Sequence, residues 1–141
     1  MAMTIHVDIV SAEGAIHSGL ATMVFATAEM GEVGIAPRHT AFISRLRPGD
    51  VRVQHENGEQ EHFYVSGGMI EVQPMAVTVL ADTAIRAQNL DEAAALEAKR
   101  KAEDALAGHA AEFEYAKAQA ELAEAIAQLR AIERMRKMKA S

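Results

Sequence analysis

The sequence predicts a β + α fold, in which an N-terminal β-sandwich of about ten strands is followed by a C-terminal antiparallel two-helix hairpin. All ten valines and all three prolines of the 141 residues lie before residue 90, whereas residues 90–141 contain 17 alanines and neither valine nor threonine. β-Branched side chains favour pleated strands, and alanine favours helix because it loses no side-chain entropy. We therefore expect a sandwich domain over residues 1–88 and a helical hairpin over residues 89–141.

The strands are predicted from alternation within apolar runs and from the turn residues between the runs. The first run, residues 4–10, alternates cleanly between apolar and polar side chains. Asn57-Gly58 predicts a tight hairpin turn in which both residues have positive φ. Gly67-Gly68 predicts a bulge or a close backbone contact. Further strand-like runs lie at residues 20–27, 40–46, 50–55, 61–66, 69–73 and 76–82.

Two helices are expected in the alanine-rich part. Asn89 is predicted to cap the first helix, with Glu92 as its reciprocal partner, and Gly108 is predicted to end it. Glu97 and Lys101 can form an ion pair one turn apart. The second helix is expected from about residue 112 to residue 138, and its seam has three-four spacing: Tyr115, Ala118, Leu122, Ala125, Leu129 and Ile132. Because alanine buries little apolar area, the helices are expected to pack on each other weakly and to open for a suitable partner.

Composition excludes several classes of protein. No run approaches the roughly 18 apolar residues of a membrane span, and the first residues lack the features of a signal or transit peptide. The absence of cysteine excludes disulfides, a thiolate nucleophile and cysteine metal sites. A net charge of -6 argues against general nucleic-acid binding. We expect an intracellular bacterial protein.

Positive charge is concentrated at the end of the second helix. Residues 130–139 contain five basic residues and a single acid. Favourable interaction with the helix dipole accounts for only part of this excess. An acidic protein surface is therefore the predicted target, and a membrane or nucleic acid is a weaker alternative. The basic residues are Arg130, Arg134, Arg136, Lys137 and Lys139.

The sequence shows no catalytic constellation. Its six histidines include no pair at the helical spacing of a zinc motif, and most are expected to be solvated. His39 differs, because it lies in a loop rich in glycine and proline, where contact residues tend to be placed. Gly31 and Gly34 lack the third glycine of a dinucleotide-binding motif. These features favour a mechanical or regulatory role, and an enzyme with a site hidden in the sandwich is the less favoured alternative.

Four stretches together resemble a known family. They are HVDIVSAEG, GEVGIAPRHTAFISRLRPGDVRV, YVSGGMIEVQPMAVTVLADTAIRAQNLDEA and AELAEAIAQLRAIER. In order and spacing they are similar to the epsilon subunit of bacterial F-type ATP synthases, and the resemblance covers nearly the whole chain. It implies a non-catalytic subunit of the central stalk, or rotor, that couples proton flow to ATP synthesis. It also implies a peripheral location on the cytoplasmic face of the bacterial plasma (inner) membrane.

The resemblance also implies partners and two arrangements of the helices. The partners are the gamma subunit, the ring of c subunits and the catalytic alpha/beta hexamer. The helices either pack beside the sandwich or extend along gamma and inhibit ATP hydrolysis. The segment from Glu29 to His39 matches the family's c-ring-facing segment, so Glu32 and His39 are the expected contacts. The residues expected to face an acidic region of the beta subunit are Arg130, Arg134, Arg136 and Lys137.

Some members of the family bind regulatory ATP at an Ile/Leu-Asp-x-x-Arg-Ala motif. In this chain Leu90, Asp91 and Ala95 match the motif, whereas Ala94 replaces the arginine and Ile85 occupies a position that is acidic in ATP-binding members. Loss of the arginine removes a charge-assisted clamp on phosphate. We therefore expect ATP binding to be weak or absent, with no other cofactor and no metal. An ATP-sensing regulatory module remains the alternative function.

Overall fold

The computed structural model of the chain describes residues 3–108 and 112–140. Within these residues, ten strands, a short 3-10 helix at Ala87–Asn89 and two α-helices follow one another, as the fold class predicts. The helices are α1 (Glu92–Ala107) and α2 (Glu112–Ala140). The strands are β1 (Ile5–Ser11), β2 (Gly14–Ala21), β3 (Met23–Ala28), β4 (Gly31–Ile35), β5 (Phe42–Leu46), β6 (Gly49–Gln54), β7 (Gln60–Val65), β8 (Gly68–Gln73), β9 (Ala76–Ala81) and β10 (Ala84–Arg86).

The strands form one hydrogen-bonded sheet that encloses a single apolar core. Their order is β10-β7-β6-β3-β5-β8-β9-β1-β2, with β4 paired to β3. The pairing of β1 with β9 is parallel and the other recorded pairings are antiparallel. Alternate side chains fill the core, as at Val51 and Val53 of β6, which are fully buried. This alternation leaves the second face of each strand for other contacts.

The segment from Glu29 to His39 is not simply the predicted loop. Residues Gly31–Ile35 form β4, which pairs with β3 in antiparallel register. The two glycines of this segment lowered its apparent strand propensity, but pairing with β3 and burial of Ile35 favour the strand. His39 lies in the connection that follows β4.

The turn at Asn57-Gly58 also differs from the prediction. Gly58 has a positive φ of +86°, as predicted. Asn57 does not have a positive φ: among the described non-glycine residues, only Arg38 does. The connection is longer than two residues: the His55 N–H donates to the Glu59 carbonyl at 2.8 Å, and the Gly58 N–H donates to the His55 carbonyl at 3.0 Å. A longer connection needs only one left-handed residue.

Gly68 makes the close backbone contact that the glycine pair predicts. Its φ is +134°, and a Cβ at this position would lie 2.0 Å from the carbonyl oxygen of Leu80. Gly68 pairs with both β5 and β9, opposite Leu46 and Ala81. Glycine is therefore required here both by the backbone conformation and by the space available.

The first helix is capped by a residue other than the predicted one. The side chain of Asp91 accepts a hydrogen bond from the Ala94 N–H at 3.1 Å, whereas Asn89 lies in the 3-10 helix. The helix ends before Gly108, as predicted. Its Glu97 pairs with Arg100 at 2.7 Å rather than with Lys101. An Asp cap satisfies one of the free N–H groups at the helix start and also places an acid near the positive end of the dipole.

The helices form an antiparallel pair. Arg136, near the end of α2, donates to Glu92 at the start of α1, with an Nη1–Oε1 distance of 3.1 Å. The predicted seam is buried at Ala118, Ala125 and Ile132, but Tyr115 is 44% exposed and does not join it. Because alanine forms so much of the seam, the two helices approach closely with little buried area. No helix within residues 3–108 and 112–140 is long and apolar enough to cross a membrane.

Candidate functional site

The outer faces of β6 and β7 carry a polar surface on which α2 lies. Alternation sends Val51, Val53, Phe63 and Val65 into the sandwich core. The opposite face presents two cross-strand pairs, because Asp50 stands opposite Tyr64 and Arg52 stands opposite His62. We call these four residues, Asp50, Arg52, His62 and Tyr64, the docking face.

Tyr64 is the apolar centre of the docking face. It is 1% exposed and packs in a small cluster with Ala87 of the 3-10 helix and with Ala127 and Ala131 of α2. The alanines let the helix backbone approach the ring closely. Burial raises the pKa of Tyr64 to about 12, and the nearby negative charge of Glu124 adds to the effect. The phenol therefore stays neutral while the hairpin is docked.

A cluster of four charged residues lies beside Tyr64. Asp50 is only 5% exposed, and its two carboxylate oxygens accept from Arg52 at 2.9 Å and from Arg134 at 2.7 Å. Arg52 also donates to the carboxylate of Glu32, and Arg134 Nη2 lies 3.9 Å from Oε2 of Glu32. We call Glu32, Asp50, Arg52 and Arg134 the charge cluster. It joins β4, β6 and α2 with balanced charge.

Arg52 is held as a cation by this arrangement. Burial disfavours its charged form, but hydrogen bonds to Asp50 and Glu32 outweigh the burial and raise the pKa of Arg52. Its guanidinium also lies 4.8 Å from the centroid of the Phe25 ring. The docking face therefore presents a fixed positive group to Asp50 whether or not Arg134 is present.

The two residues predicted to contact a c ring have different surroundings. Glu32 belongs to the charge cluster and faces α2, while His39 hydrogen-bonds through Nδ1 with the Thr40 carbonyl at 2.8 Å and lies beside the ring of Phe42. Glu32 lies near the start of β4, and His39 lies beyond its end. The structure therefore does not bring Glu32 and His39 into one cluster.

The predicted basic contacts are divided between paired and open positions. Arg134 pairs with the sandwich, Arg136 pairs with Glu92 of α1, and Lys137 pairs with its own helix at Glu133, 3.2 Å away. Arg130 is exposed and lines a groove between α2 and the turn that precedes β6. The side chain of Lys139 lies outside the described part of the chain. Three of the four predicted contacts thus form ion pairs within the docked chain, and one of the three, Arg134, reaches the sandwich.

The residues of the degenerate ATP motif serve the start of α1. Leu90 packs against the cluster around Tyr64, and Asp91 is the helix cap. Ala95 is 1% exposed between the helices, whereas Ala94 is exposed. The carboxylate of Asp91 is therefore engaged in a local hydrogen bond, which agrees with a structural role for this residue.

Sequence reasoning missed the importance of Asp50 and of two histidines. Asp50 begins an alternating run, so its place on the outer face was readable, but the helix that covers it was not. His62 is 7% exposed, and the side chain of His17 is 9% exposed, 3.1 Å from Glu61. Burial lowers the pKa of His17, although Glu61 opposes the effect.

His109 lies outside the described residues. In the part of the chain that is described, no group of three or more acids and histidines is placed to hold a metal ion.

Both parts of the chain match domains of one family. Residues 4–87 match the β-sandwich domain of the ATP synthase delta/epsilon chain, and residues 88–133 match its long α-helix domain. The chain belongs to the ATP synthase delta/epsilon chain family. The docking face lies in the first of these two domains, and the α2 residues that cover it, such as Ala127, lie in the second.

Relatives in the delta/epsilon family match this chain over nearly its full length. The ATP synthase epsilon chain of Nitrosococcus oceani is 66% identical over 137 residues, which are 97% of this chain and 98% of that protein. That of Alkalilimnicola ehrlichii is 65% identical over 134 residues, 95% of this chain and 96% of the relative. ATP synthase epsilon chain 1 of Methylococcus capsulatus is 63% identical over 140 residues, 99% of this chain and 100% of the relative.

Two solved assemblies contain chains of similar fold. One is the Euglena gracilis mitochondrial ATP synthase (OSCP/F1/c-ring), where a chain aligns with a TM-score of 0.84 at 18% identity, over 92% of this chain and 81% of that one. The other is the central stalk/c-ring of the Tetrahymena thermophila mitochondrial ATP synthase, with a TM-score of 0.61 at 12% identity, over 92% and 97% of the chains. At these identities the likeness shows the fold alone.

Proposed function

We propose that the chain is a non-catalytic central-stalk subunit of a proton-translocating F-type ATP synthase, of the epsilon type. In this role the sandwich joins the gamma subunit and the c ring and couples proton flow to ATP synthesis. The hairpin moves and inhibits ATP hydrolysis by the alpha/beta hexamer. The observation that carries the proposal is the match of both parts of the chain, in order, to the delta/epsilon family.

The structure supports a hairpin that can leave the sandwich. Among the described residues, the sandwich core is built from strand residues alone, and α2 adds nothing to it. The hairpin is held by a second, small cluster, in which alanines supply most of the buried side chains. Apolar burial stabilises in proportion to area, so this contact is weak compared with the sandwich core. Undocking therefore leaves the core intact.

The proposed partners are assigned to the two parts of the chain separately. The sandwich, residues 1–88, binds gamma and the c ring, with Glu32 and His39 as ring contacts. The hairpin, residues 89–141, presents Arg130, Arg134, Arg136 and Lys137 to an acidic surface of the beta subunit. The complex places the chain at the cytoplasmic face of the bacterial plasma membrane, as a peripheral subunit. The relatives are named ATP synthase epsilon chains, which supports the assignment of this chain to such a complex.

Deletion of residues 90–141 tests the proposed inhibition. The shortened chain should still co-purify with the gamma subunit and support proton-coupled synthesis, because its core is complete. The ATP hydrolysis rate of the complex should rise, since the hairpin is absent. The measurement is steady-state hydrolysis by membranes that contain equal amounts of complex. An unchanged rate would exclude inhibition by the hairpin, and failure to co-purify with gamma would exclude the rotor assignment itself.

The ATP-sensing alternative makes a separate prediction. Because Ala94 supplies no guanidinium and Asp91 is engaged as a cap, we expect a dissociation constant for ATP weaker than about 1 mM. Isothermal calorimetry on the isolated chain should then show no saturable heat at millimolar ATP. Saturable heat that disappears in Asp91→Asn would support the sensing module.

A further inference from the structure

We propose that Arg134 is the latch that holds the hairpin on the sandwich, and that Asp50 is its buried counter-ion. The proposal rests on the proposed function and names the contact by which the hairpin is held or released. Its basis is the charge cluster, in which a guanidinium from α2 reaches across the chain to a carboxylate 84 positions away in sequence.

Arg134 occupies a special position among the charged groups of the hairpin. It forms both of the ion pairs that join described residues of the hairpin to described residues of the sandwich, one with Asp50 at 2.7 Å and one with Glu32 at 3.9 Å. The other described cations of α2 that form ion pairs have acidic partners on α1 or α2. Loss of Arg134 therefore removes the recorded ion pairing across this contact.

Asp50 makes the contact specific. A buried carboxylate is costly unless it is paired, and Asp50 uses one oxygen for Arg52 and the other for Arg134. When α2 leaves, Arg52 alone must serve both Asp50 and Glu32, while water reaches the exposed face. The net stabilisation by such a pair is modest, because its attraction offsets a large desolvation cost. A modest but directional contact suits a latch that opens and closes reversibly.

The latch also places one guanidinium in competition between two uses. Arg134 is one of the residues proposed to meet an acidic partner, and in the docked chain it is engaged with Asp50. The partner must therefore replace Asp50 before it gains Arg134. A substitution of Asp50 therefore weakens the contact and frees the guanidinium of Arg134. A substitution of Arg134 weakens the contact but removes the guanidinium.

Nitration of Tyr64 by tetranitromethane measures opening in the isolated full-length chain. The chain has two tyrosines, which peptide mass spectrometry separates; Tyr64 is 1% exposed under α2, and Tyr115 is 44% exposed and serves as the internal reference. Nitration of Tyr64 requires the hairpin to lift, so its rate relative to that of Tyr115 follows the open population. We expect Arg134→Gln and Asp50→Asn each to raise this ratio about tenfold, because a hydrogen bond to a charged group is lost.

Two comparisons separate the latch from general destabilisation. Lys117→Gln makes the same charge change on α2, as a control. Among the described residues, the ion pair of Lys117 lies within its own helix, with Glu121 at 3.9 Å, so the ratio should stay unchanged. The double variant Arg134→Gln/Asp50→Asn should open little more than either single variant, since the two residues act as one pair. Thermal unfolding checks that each variant is folded. A ratio unchanged in Arg134→Gln, or effects that simply multiply in the double variant, would overturn the latch.

In the assembled complex, inhibition of hydrolysis gives a second readout that should differ between the Asp50 variant and the Arg134 variant. Asp50→Asn should strengthen inhibition of hydrolysis, because the hairpin opens with Arg134 intact. Arg134→Gln should not strengthen it, because the opened hairpin has lost the guanidinium. Faster Tyr64 nitration without any change in hydrolysis would support the latch and count against the proposed inhibition. Stronger inhibition in Arg134→Gln than in Asp50→Asn would overturn the competition for Arg134.

Discussion

At the scale of single residues, Tyr64 shows how one side chain joins two parts of the molecule. Its neighbours Phe63 and Val65 belong to the sandwich core, while Tyr64 faces the other way into the contact with α2. Burial there raises the pKa of Tyr64 to about 12, with the charge of Glu124 adding to the effect. The phenol therefore reports directly on whether the hairpin is docked.

This pKa gives a prediction for stability at high pH. Burial raises the pKa of Tyr64 from its ordinary value of about 10 to about 12, so its contribution to stability is complete below about pH 10 and is lost as pH rises toward about 12. The free energy of unfolding should fall more steeply between about pH 9 and about pH 11 in the native chain than in Tyr64→Phe, which has no group to ionise. Urea unfolding at both pH values measures this difference.

Tyr115→Phe is the matched control for this experiment. It removes the same ionisable hydroxyl group from a side chain that is 44% exposed and outside the buried seam. The steep decline in stability should therefore persist in Tyr115→Phe. Equal slopes in the native chain and in Tyr64→Phe would show that the docked phenol does not resist ionisation.

At the scale of elements, the sequence predicted types and order better than contacts. Alternation located β1, because one face of this strand is buried and its pattern has a period of two. The turn residues Asn57-Gly58 located β6 and β7 on either side of them. Alternation did not locate β4, where Gly31 and Gly34 hide a strand that exists through pairing with β3. The charge cluster could not be predicted from the sequence for a similar reason. Its members come from β4, β6 and α2, and only the folded chain brings Glu32, Asp50 and Arg134 together.

The start of α1 provides a prediction at this scale. Asp91→Ala removes the side chain that accepts from the Ala94 N–H and should lower the opening free energy of the first turn by about 1 kcal/mol. Asn89→Ala should have a smaller effect, because Asn89 lies in the 3-10 helix and does not cap α1. Hydrogen exchange of the amides at residues 94–97 measures both variants. A larger loss of protection in Asn89→Ala would restore the sequence-based assignment of the cap.

At the scale of the whole molecule, the described residues form two apolar clusters of unequal strength. The first lies inside the sandwich and includes strands from both ends of the sheet. The second lies between Tyr64 and α2, and the charge cluster beside it adds direction rather than large stability. An isolated alanine-rich hairpin is marginal in water, because most helix stability in proteins comes from packing. The hairpin should therefore be the less stable of the two cooperative units.

Native-state hydrogen exchange tests this division of stability. Amides of α1 and α2 should exchange through an opening that needs less free energy and depends less on denaturant than exchange in β6 and β7, which should follow global unfolding. A smaller denaturant dependence is expected because exchange requires the two helices to lift and unfold, which exposes the second cluster and the seam between the helices but leaves the sandwich core buried. If helix and strand amides instead shared one free energy and one denaturant slope, the chain would unfold as a single unit. A hairpin that moves while the sandwich stays folded requires the two sets of amides to separate.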